Sequence, residues 1–224
     1  MSEWWTYSLS DFLLFSPRTY YRLYELYNAA IWPAQVVALG LGLAIWVLMR
    51  RFTASRERAI AAILAGCWLW VAIAFHARRY ATINWAAVYF AAGFALEAAL
   101  LIWFGVIRGR LSFDRSFDLA SRAGRGIFLF ALVMEPLLGP LLGRGWRGVE
   151  IFGVAPDPTA IATLGILLLG TGGGRWALFV VPAAWCAVSG ATLLAMKSPD
   201  SWIPPLAGAL TVALAIRQKR GRKA

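Results

Sequence analysis

The chain has 224 residues, of which 60% are hydrophobic and only 15% are charged, and its 22 lysines and arginines outnumber its 11 acidic residues. A soluble domain of this length leaves much of its side-chain surface in water, so this composition excludes most soluble folds and indicates an integral membrane protein whose main partner is the lipid bilayer. The net charge of +11 does not indicate a nucleic-acid partner, because the basic residues lie in short loops between apolar runs, as in membrane topology.

The first predicted element is a helix within an N-terminal interfacial segment, residues 1–30. Ser16 and Pro17 are typical of a helix N-cap followed by proline at the first helical position. Larger side chains then recur at helical spacing, at Tyr20, Leu23, Tyr24 and Tyr27. We expect this helix to lie in the membrane interface and to anchor the first span, with a gate or lid as the alternative.

Apolar runs that approach the length needed to cross about 30 Å of hydrocarbon occupy most of the remaining chain. Seven such runs predict transmembrane helices: Trp32–Met49, Ala59–Phe75, Trp85–Ile107, Gly126–Leu142, Thr159–Leu169, Trp176–Met196 and Trp202–Ile216. The fifth and seventh runs are short, so each either crosses between interfacial residues or re-enters on one side. We therefore predict an all-α polytopic membrane helical bundle over residues 31–216, followed by a basic cytoplasmic tail at 217–224.

The distribution of basic residues predicts the orientation of this bundle. Most lysines and arginines follow the first, third and fifth spans or lie in the tail. Positively charged loops stay in the cytoplasm, so we expect the N-terminus outside and the C-terminus in the cytoplasm. Trp32, Trp85 and Trp202 stand at the outer ends of their spans, and tryptophan is typical of the membrane–water boundary.

Two acidic residues lie near the middle of predicted spans, Glu97 in the third and Glu135 in the fourth. A charged group there costs about 3 kcal/mol on insertion scales, so protein, water or a ligand must receive it. Such a carboxyl can carry a proton, bind a cation or donate a hydrogen bond to a neighbouring helix, and these readings stay open for Glu97. Glu135 is the stronger functional candidate, because Pro136 and Pro140 bend its helix and release backbone carbonyls nearby.

A second group of polar residues collects at the predicted outer ends of the spans. Its members are Asn28, Trp32, Gln35, His76, Asn84 and Asp157. His76, at the end of the second span, is more typical of an interfacial hydrogen-bonding group than of a metal ligand. Asp157 precedes Pro158 and suits a helix N-cap. The alternative is that these residues and the acids below them line a water-accessible pocket that opens to the outside.

The sequence contains no pattern typical of an enzyme. The chain has one histidine and two separated cysteines, Cys67 and Cys186, and their spacing is not typical of metal ligands. Metal-binding residues are therefore unknown from the sequence. No nucleophile elbow, metalloprotease motif or phosphate loop is present, and the glycine run Gly170–Gly174 predicts a cytoplasmic turn. We therefore expect no catalytic residues, no enzyme activity and no bound cofactor.

Three stretches of the chain carry a resemblance to a known family. They are Tyr27–Gln35 (YNAAIWPAQ), Trp68–Asn84 with its Trp-Leu-Trp, Phe-His and Ile-Asn groups, and Phe152–Thr159 (FGVAPDPT). Together they resemble an uncharacterised family of bacterial multi-pass membrane proteins, domain of unknown function family 6064, over nearly the whole chain. The resemblance implies a bacterial inner-membrane location and a permease-like architecture, without a known reaction.

The chain departs from the expected family pattern at two positions. A cysteine is expected between the two prolines of the third stretch, where this chain has Asp157, and proline is expected where it has Trp85. If that cysteine binds a soft metal in relatives, the hard carboxylate oxygen of Asp157 has a different metal preference. The resemblance therefore transfers no metal-binding role to Asp157.

Two functions fit these expectations. The first is a small transporter or permease for an ion or small solute, in which Glu97 and Glu135 form the pathway and the outer polar residues form its entrance. The alternative is a non-catalytic accessory or structural subunit of a membrane complex. In that case the same acids only hold helices together, and an apolar face docks a membrane protein partner or a second copy of the chain.

Overall fold

The computed structural model describes residues 13–113, 118–172 and 174–221. Within these ranges the chain is all-helical, with one isolated bridge pair between Phe113 and Gly170 and no strand. The predicted all-α fold class is therefore confirmed for the described residues. Three predicted features lie partly outside them: residues 1–12 of the N-terminal segment, Gly173 of the glycine turn, and residues 222–224 of the basic tail.

The helices of the described ranges follow one another through short connections. In chain order they are α1 (Pro17–Ala30), α2 (Ala34–Leu48), α3 (Ala54–Trp70), α4 (Ala87–Leu100), α5 (Leu119–Leu129), α6 (Glu135–Leu141), α7 (Pro156–Leu169), α8 (Arg175–Ala195) and α9 (Ile203–Gly221).

Three of these helices lengthen through turns of wider, π-helical geometry. α3, α4 and α5 run without a break into π-helical segments at Val71–Ala77, Leu101–Ile107 and Phe130–Met134. The third of these segments joins α5 directly to α6. Turns of π-helix are rare and occur frequently at functional sites, so residues in and beside these segments are candidates for a functional role.

Four helices in the described part of the chain are long and apolar enough to cross a membrane. They cover Ala54–Thr82, Ala87–Ile107, Leu119–Leu141 and Arg175–Ala195, and the pair α1 and α2, bent by 88°, is a fifth candidate. These helices are compatible with a membrane protein. Seven crossings stay a prediction, because α7 has only 14 residues and the last turns of α9 are basic.

The helix of the fourth predicted span begins earlier than the apolar run from which the span was predicted. The span was predicted from Gly126, but α5 begins at Leu119. The Asp118 carboxylate accepts a hydrogen bond from the Ser121 backbone N–H at 2.8 Å and so caps the helix. The added turns carry polar residues, which hydropathy alone does not assign to a span.

α1 has the N-terminus that the sequence predicts. The Ser16 hydroxyl accepts a hydrogen bond from the Thr19 backbone N–H at 3.2 Å, and Pro17 occupies the first helical position. The larger side chains at helical spacing are all buried, namely Tyr20, Leu23, Tyr24 and Tyr27. α1 therefore packs its aromatic face on protein, and its location in the membrane interface stays a prediction.

α7 lies at the centre of the bundle. It is apolar on nearly every face, and every one of its residues is buried. It packs against α5, α8 and α9, and its contact with α3 is smaller. Because side chains on all faces of α7 contact protein, this predicted span does not present a face to lipid.

Two glycines allow the close approach of α5 and α7. A Cβ atom on Gly165 would lie 2.7 Å from the carbonyl oxygen of Gly124 and 2.9 Å from the backbone nitrogen of Phe128. A Cβ atom on Gly124 would lie 2.4 Å from the carbonyl oxygen of Gly165. No side chain fits at these distances, so the two helices touch through their glycine backbones, as small residues allow in membrane helix pairs.

We expect Gly165→Ala to destabilise the protein by about 1–3 kcal/mol, because the added methyl group must push α7 away from α5. Thermal unfolding of the purified protein in detergent measures the change. Gly126→Ala on α5 is the matched control, since nothing lies within 4 Å of its Cβ position. The control should be at least as stable as the wild type, because alanine favours a helix over glycine. Equal unfolding temperatures for the two variants would contradict this packing.

Candidate functional site

A buried polar region lies where α6, α7 and the segment before α9 meet. The carboxyl groups of Glu135, Glu150, Asp157 and Asp200 line one small cavity together with the guanidinium of Arg144. We call these five residues the acidic cluster. The cavity has a volume of about 20 Å³, which is enough to hold about one water molecule.

Arg144 is held at one side of this cavity. It forms an ion pair with Asp200 and donates a hydrogen bond to the Tyr21 hydroxyl at 3.1 Å. The Tyr21 and Ser198 hydroxyl oxygens are 2.8 Å apart, and Ser198 donates to the second oxygen of Asp200. Burial opposes the charge on Arg144, but Asp200 and Tyr21 raise the pKa of Arg144 above its ordinary value. The guanidinium therefore stays charged and neutralises Asp200.

Asp157 is held by α8. Its two carboxylate oxygens accept hydrogen bonds from Trp185 Nε1 at 2.7 Å and from Ser189 Oγ at 2.5 Å. The predicted N-cap role of Asp157 is wrong, since α7 begins at Pro156 and its N-cap is Ala155. Pro156 has a φ angle suited to a helix, so α7 begins there, one residue earlier than predicted. Asp157 therefore lies inside the first turn of α7, where its carboxylate faces α8.

Glu135 and Glu150 are the acids of the cluster that keep an unsatisfied oxygen, and Nε of Arg144 also lacks a hydrogen-bond partner among the described residues. Oε2 of each glutamate is buried and has no hydrogen-bond partner within the described residues. Burial, and then the proximity of Asp157 and Glu135, raises the pKa of Glu150 well above its ordinary value, while Arg144 opposes this. Four carboxyl groups thus share the cavity with one guanidinium, so the cluster has more acidic groups than basic groups.

His76 lies in a cage of aromatic rings. It is fully buried, and neither ring nitrogen has a hydrogen-bond partner in the described part of the chain. The predicted hydrogen-bonding role of His76 is therefore wrong, because the π-helical segment Val71–Ala77 places its ring among apolar neighbours. Ring centroids within 6.0 Å of the imidazole belong to Phe75, Tyr80, Phe90, Phe94 and Trp185.

Trp185 connects this cage to the acidic cluster. Its indole ring lies edge-on to His76 with centroids 4.9 Å apart, and its N–H donates to Asp157. Phe94 lies 4.5 Å from the imidazole and also contacts Trp185, with ring centroids 5.2 Å apart, and Glu97 follows Phe94 by one turn of α4. His76 thus contacts one ring that is hydrogen-bonded to Asp157 and another ring on the helix that carries Glu97.

Glu97 is fully buried, and the interhelical hydrogen bond that was one of its open readings is not found among the described residues. Neither of its carboxylate oxygens has a partner within the described ranges, and it does not line the cavity of the acidic cluster. It stands one turn before the π-helical segment Leu101–Ile107. His76 and Glu135 also lie in or next to such segments, so each predicted intramembrane ionisable residue is beside a widened turn.

The remaining predicted site residues do not line the cavity. Asn28 donates to the carbonyl oxygens of Arg147 and Val149 at 2.9 Å each, and Gln35 donates to the Asn28 carbonyl oxygen at 2.7 Å. The Asn28 amide therefore bonds the segment before Glu150 to the end of α1, and the Gln35 amide bonds α2 to the end of α1. The two others lie at helix ends: Trp32 is 69% exposed and Asn84 accepts a hydrogen bond from the Ala86 backbone N–H.

The structure thus brings together two of the predicted residues, Glu135 and Asp157, and adds three that the sequence pattern did not single out. Glu150, Asp200 and Arg144 stand in polar connections between helices, where charged residues are ordinarily solvated. A charged residue in a short loop carries no signal that it is buried. The described residues contain no group of three or more His, Cys, Asp or Glu side chains placed to hold a metal ion.

A model of a protein family covers almost all of the chain. This family, described as a family of unknown function (DUF6064), matches residues 18–224. No curated protein and no solved structure matches the chain. The role of the acidic cluster therefore has to be argued from its own geometry.

We expect Glu150→Gln to flatten the pH dependence of folding stability. Since the pKa of Glu150 is raised, the folded protein keeps this proton after the unfolded chain has lost it. The stabilisation is fully present below the ordinary glutamate pKa and is lost as pH rises towards the folded-state pKa. For one group the loss is at most about 1.4 kcal/mol per pH unit, and thermal unfolding across a series of pH values measures it.

The matched control for this test is Glu57→Gln. Glu57 lies in the first turn of α3 and accepts a hydrogen bond from the Phe113 backbone N–H at 3.0 Å, which a glutamine oxygen can also accept. This variant should keep the wild-type slope of stability against pH. An unchanged slope in Glu150→Gln would show that Glu150 does not titrate as a buried member of the cluster.

Proposed function

We propose, for a chain that belongs to DUF6064, a family of unknown function, that it is a small transporter of ions or solutes in a bacterial inner membrane. The acidic cluster is the site at which a proton or small cation binds during transport. The pathway continues from this site into the bundle through His76 and Glu97.

One observation carries this proposal: unpartnered carboxylate oxygens of Glu135 and Glu150 at a cavity that holds about one water molecule. Carboxyl groups that only held helices together would have their oxygens satisfied by side chains or backbone. A buried oxygen without a partner is costly, and a proton, cation or water that enters the cavity removes that cost. A cluster with more carboxyls than guanidinium groups is therefore suited to bind and release a positive charge.

The neighbours of the cluster support a pathway that continues into the bundle. Asp157 accepts a hydrogen bond from Trp185, whose ring contacts His76, and His76 contacts Phe94 one turn before Glu97. His76 and Glu97 are both buried without hydrogen-bond partners in the described ranges, so each has an atom free to bind a proton. The π-helical turns beside them favour a functional role over simple packing.

The proposed topology has seven crossings, with the N-terminus outside and the C-terminus in the cytoplasm. The four long apolar helices, α2, α7 and α9 supply the crossings, and α1 lies in the interface. In this orientation α6 ends and α7 begins on the outer side, so the acidic cluster opens towards the outside. Short α7 crosses without touching lipid because other helices surround it.

Glu135→Gln tests the proposal. Purified protein in liposomes is given a pH gradient, and a pH-sensitive dye inside the vesicles reports proton movement. We expect the wild type to dissipate the gradient faster than empty liposomes do. Glutamine binds no proton, so the variant should lower the protein-dependent rate by about tenfold or more, as expected for an intramembrane ionisable group on a proton pathway.

Glu57→Gln serves again as the matched control, because it makes the same chemical change outside the cluster. It should keep the wild-type rate. If the wild type moves no protons, and Glu135→Gln changes only the unfolding temperature, the transporter proposal fails. The accessory or structural subunit is then the function that remains.

A further inference from the structure

An open groove of about 900 Å³ lies between α1 and the segment that follows α3. Four arginines line it: Arg18 and Arg22 of α1, Arg79, and Arg144 of the acidic cluster. Glu25 is the acidic residue in this lining and pairs with Arg22 at 2.5 Å. Four arginines and one glutamate leave the groove with a net charge of +3. We call this feature the arginine groove.

The arginine groove also has an apolar wall. Leu23, Leu26 and Ile83 contribute to its lining, and the Leu26 side chain is 51% exposed. Guanidinium groups bind phosphate through paired hydrogen bonds, whereas exposed leucine is covered best by an apolar chain. A ligand that matches both parts of the groove therefore carries a phosphate next to hydrocarbon.

The orientation of α1 brings the arginine groove to the level of lipid headgroups. α1 meets α2 at 88°. When α2 stands across a bilayer, α1 therefore lies parallel to the membrane surface. This step rests on the membrane location in the proposed function, but not on transport.

We propose that the arginine groove binds the headgroup of an anionic phospholipid. The phosphate lies among Arg18, Arg22 and Arg79, and an acyl chain passes over Leu26 into the bilayer. Clusters of arginine and lysine at a membrane surface attract anionic headgroups. Arg144 also lines the groove, but its guanidinium forms an ion pair with Asp200.

Native mass spectrometry of the purified protein in neutral detergent tests this site. Phosphatidylglycerol and phosphatidylcholine are added at equal concentration, and the bound fraction of each is measured. We expect the wild type to prefer phosphatidylglycerol. Arg18→Gln combined with Arg79→Gln should weaken that binding about 25-fold, at about fivefold for each basic residue removed.

The matched control is Arg78→Gln combined with Arg147→Gln. Both arginines are exposed in neighbouring connections, but neither lines the groove. This variant loses the same charge and should keep the preference for phosphatidylglycerol. Glu25→Gln should increase binding about fivefold, because it removes the carboxylate that competes for Arg22. An increase of this kind does not arise from a failure to fold.

Three results would overturn the proposal. The first is a wild type that binds both lipids equally. The second is an equal loss of binding in the two double variants, which would indicate general charge attraction rather than the groove. The third is displacement of the lipid by inorganic phosphate at matched concentration, which would make a free anion the ligand. Proton movement in liposomes is measured separately, so failure here leaves the transport test unaffected.

Discussion

The complete burial of a short helix, α7, imposes a strict requirement on the rest of the molecule. Polar groups in its first half have no access to solvent, so each needs a partner inside the protein. Thr159 accepts a hydrogen bond from the Gly153 backbone N–H at 2.8 Å, and Thr163 accepts one from Trp68 at 2.9 Å. Asp157 is satisfied by α8. Each of these bonds ties α7 to a different element, and losing one costs about 1–3 kcal/mol.

The same burial assembles the acidic cluster. α5 and α7 approach each other through Gly124 and Gly165, and α5 continues through a π-helical segment into α6, where Glu135 stands in the first turn. The first turn of α7 carries Asp157, so the crossing of the two helices sets where these carboxyls lie relative to each other. The connection between α6 and α7 then adds Arg144 and Glu150. The packing of α5 and its π-helical continuation on α7, together with the connections before α7 and α9, thus brings acids from separate parts of the chain to one small cavity.

The acidic cluster and the arginine groove are opposite in charge and share a boundary. Arg144 and Tyr21 line both spaces, with the guanidinium paired to Asp200 on the cluster side. Arg144 is therefore the residue through which the proposed headgroup site and the proposed proton site would affect each other. The hydrogen bond between Tyr21 and Arg144 holds this boundary in place.

Much of this architecture is local and could be predicted from the sequence. The cap at Ser16 and the buried aromatic face of α1 depend on residues within a few turns of each other. Glu135 and Asp157 could also be selected, because an acid in or beside an apolar run is conspicuous. Glu150 and Asp200 could not be selected, since their burial comes from contacts with helices far away in the chain.

The sequence by itself determined an all-helical, strongly apolar chain and two of the acids at its candidate site, because hydropathy, capping and helical spacing act over short distances. Only the tertiary structure decided that α7 faces protein on every side, that His76 lies in an aromatic cage, and that Glu97 lies apart from the cluster. The physical reason is that a helix that is apolar on nearly every face is equally suited to lipid and to the centre of a bundle. Which neighbours it meets is set by the close fit of distant residues, such as Gly124 on Gly165.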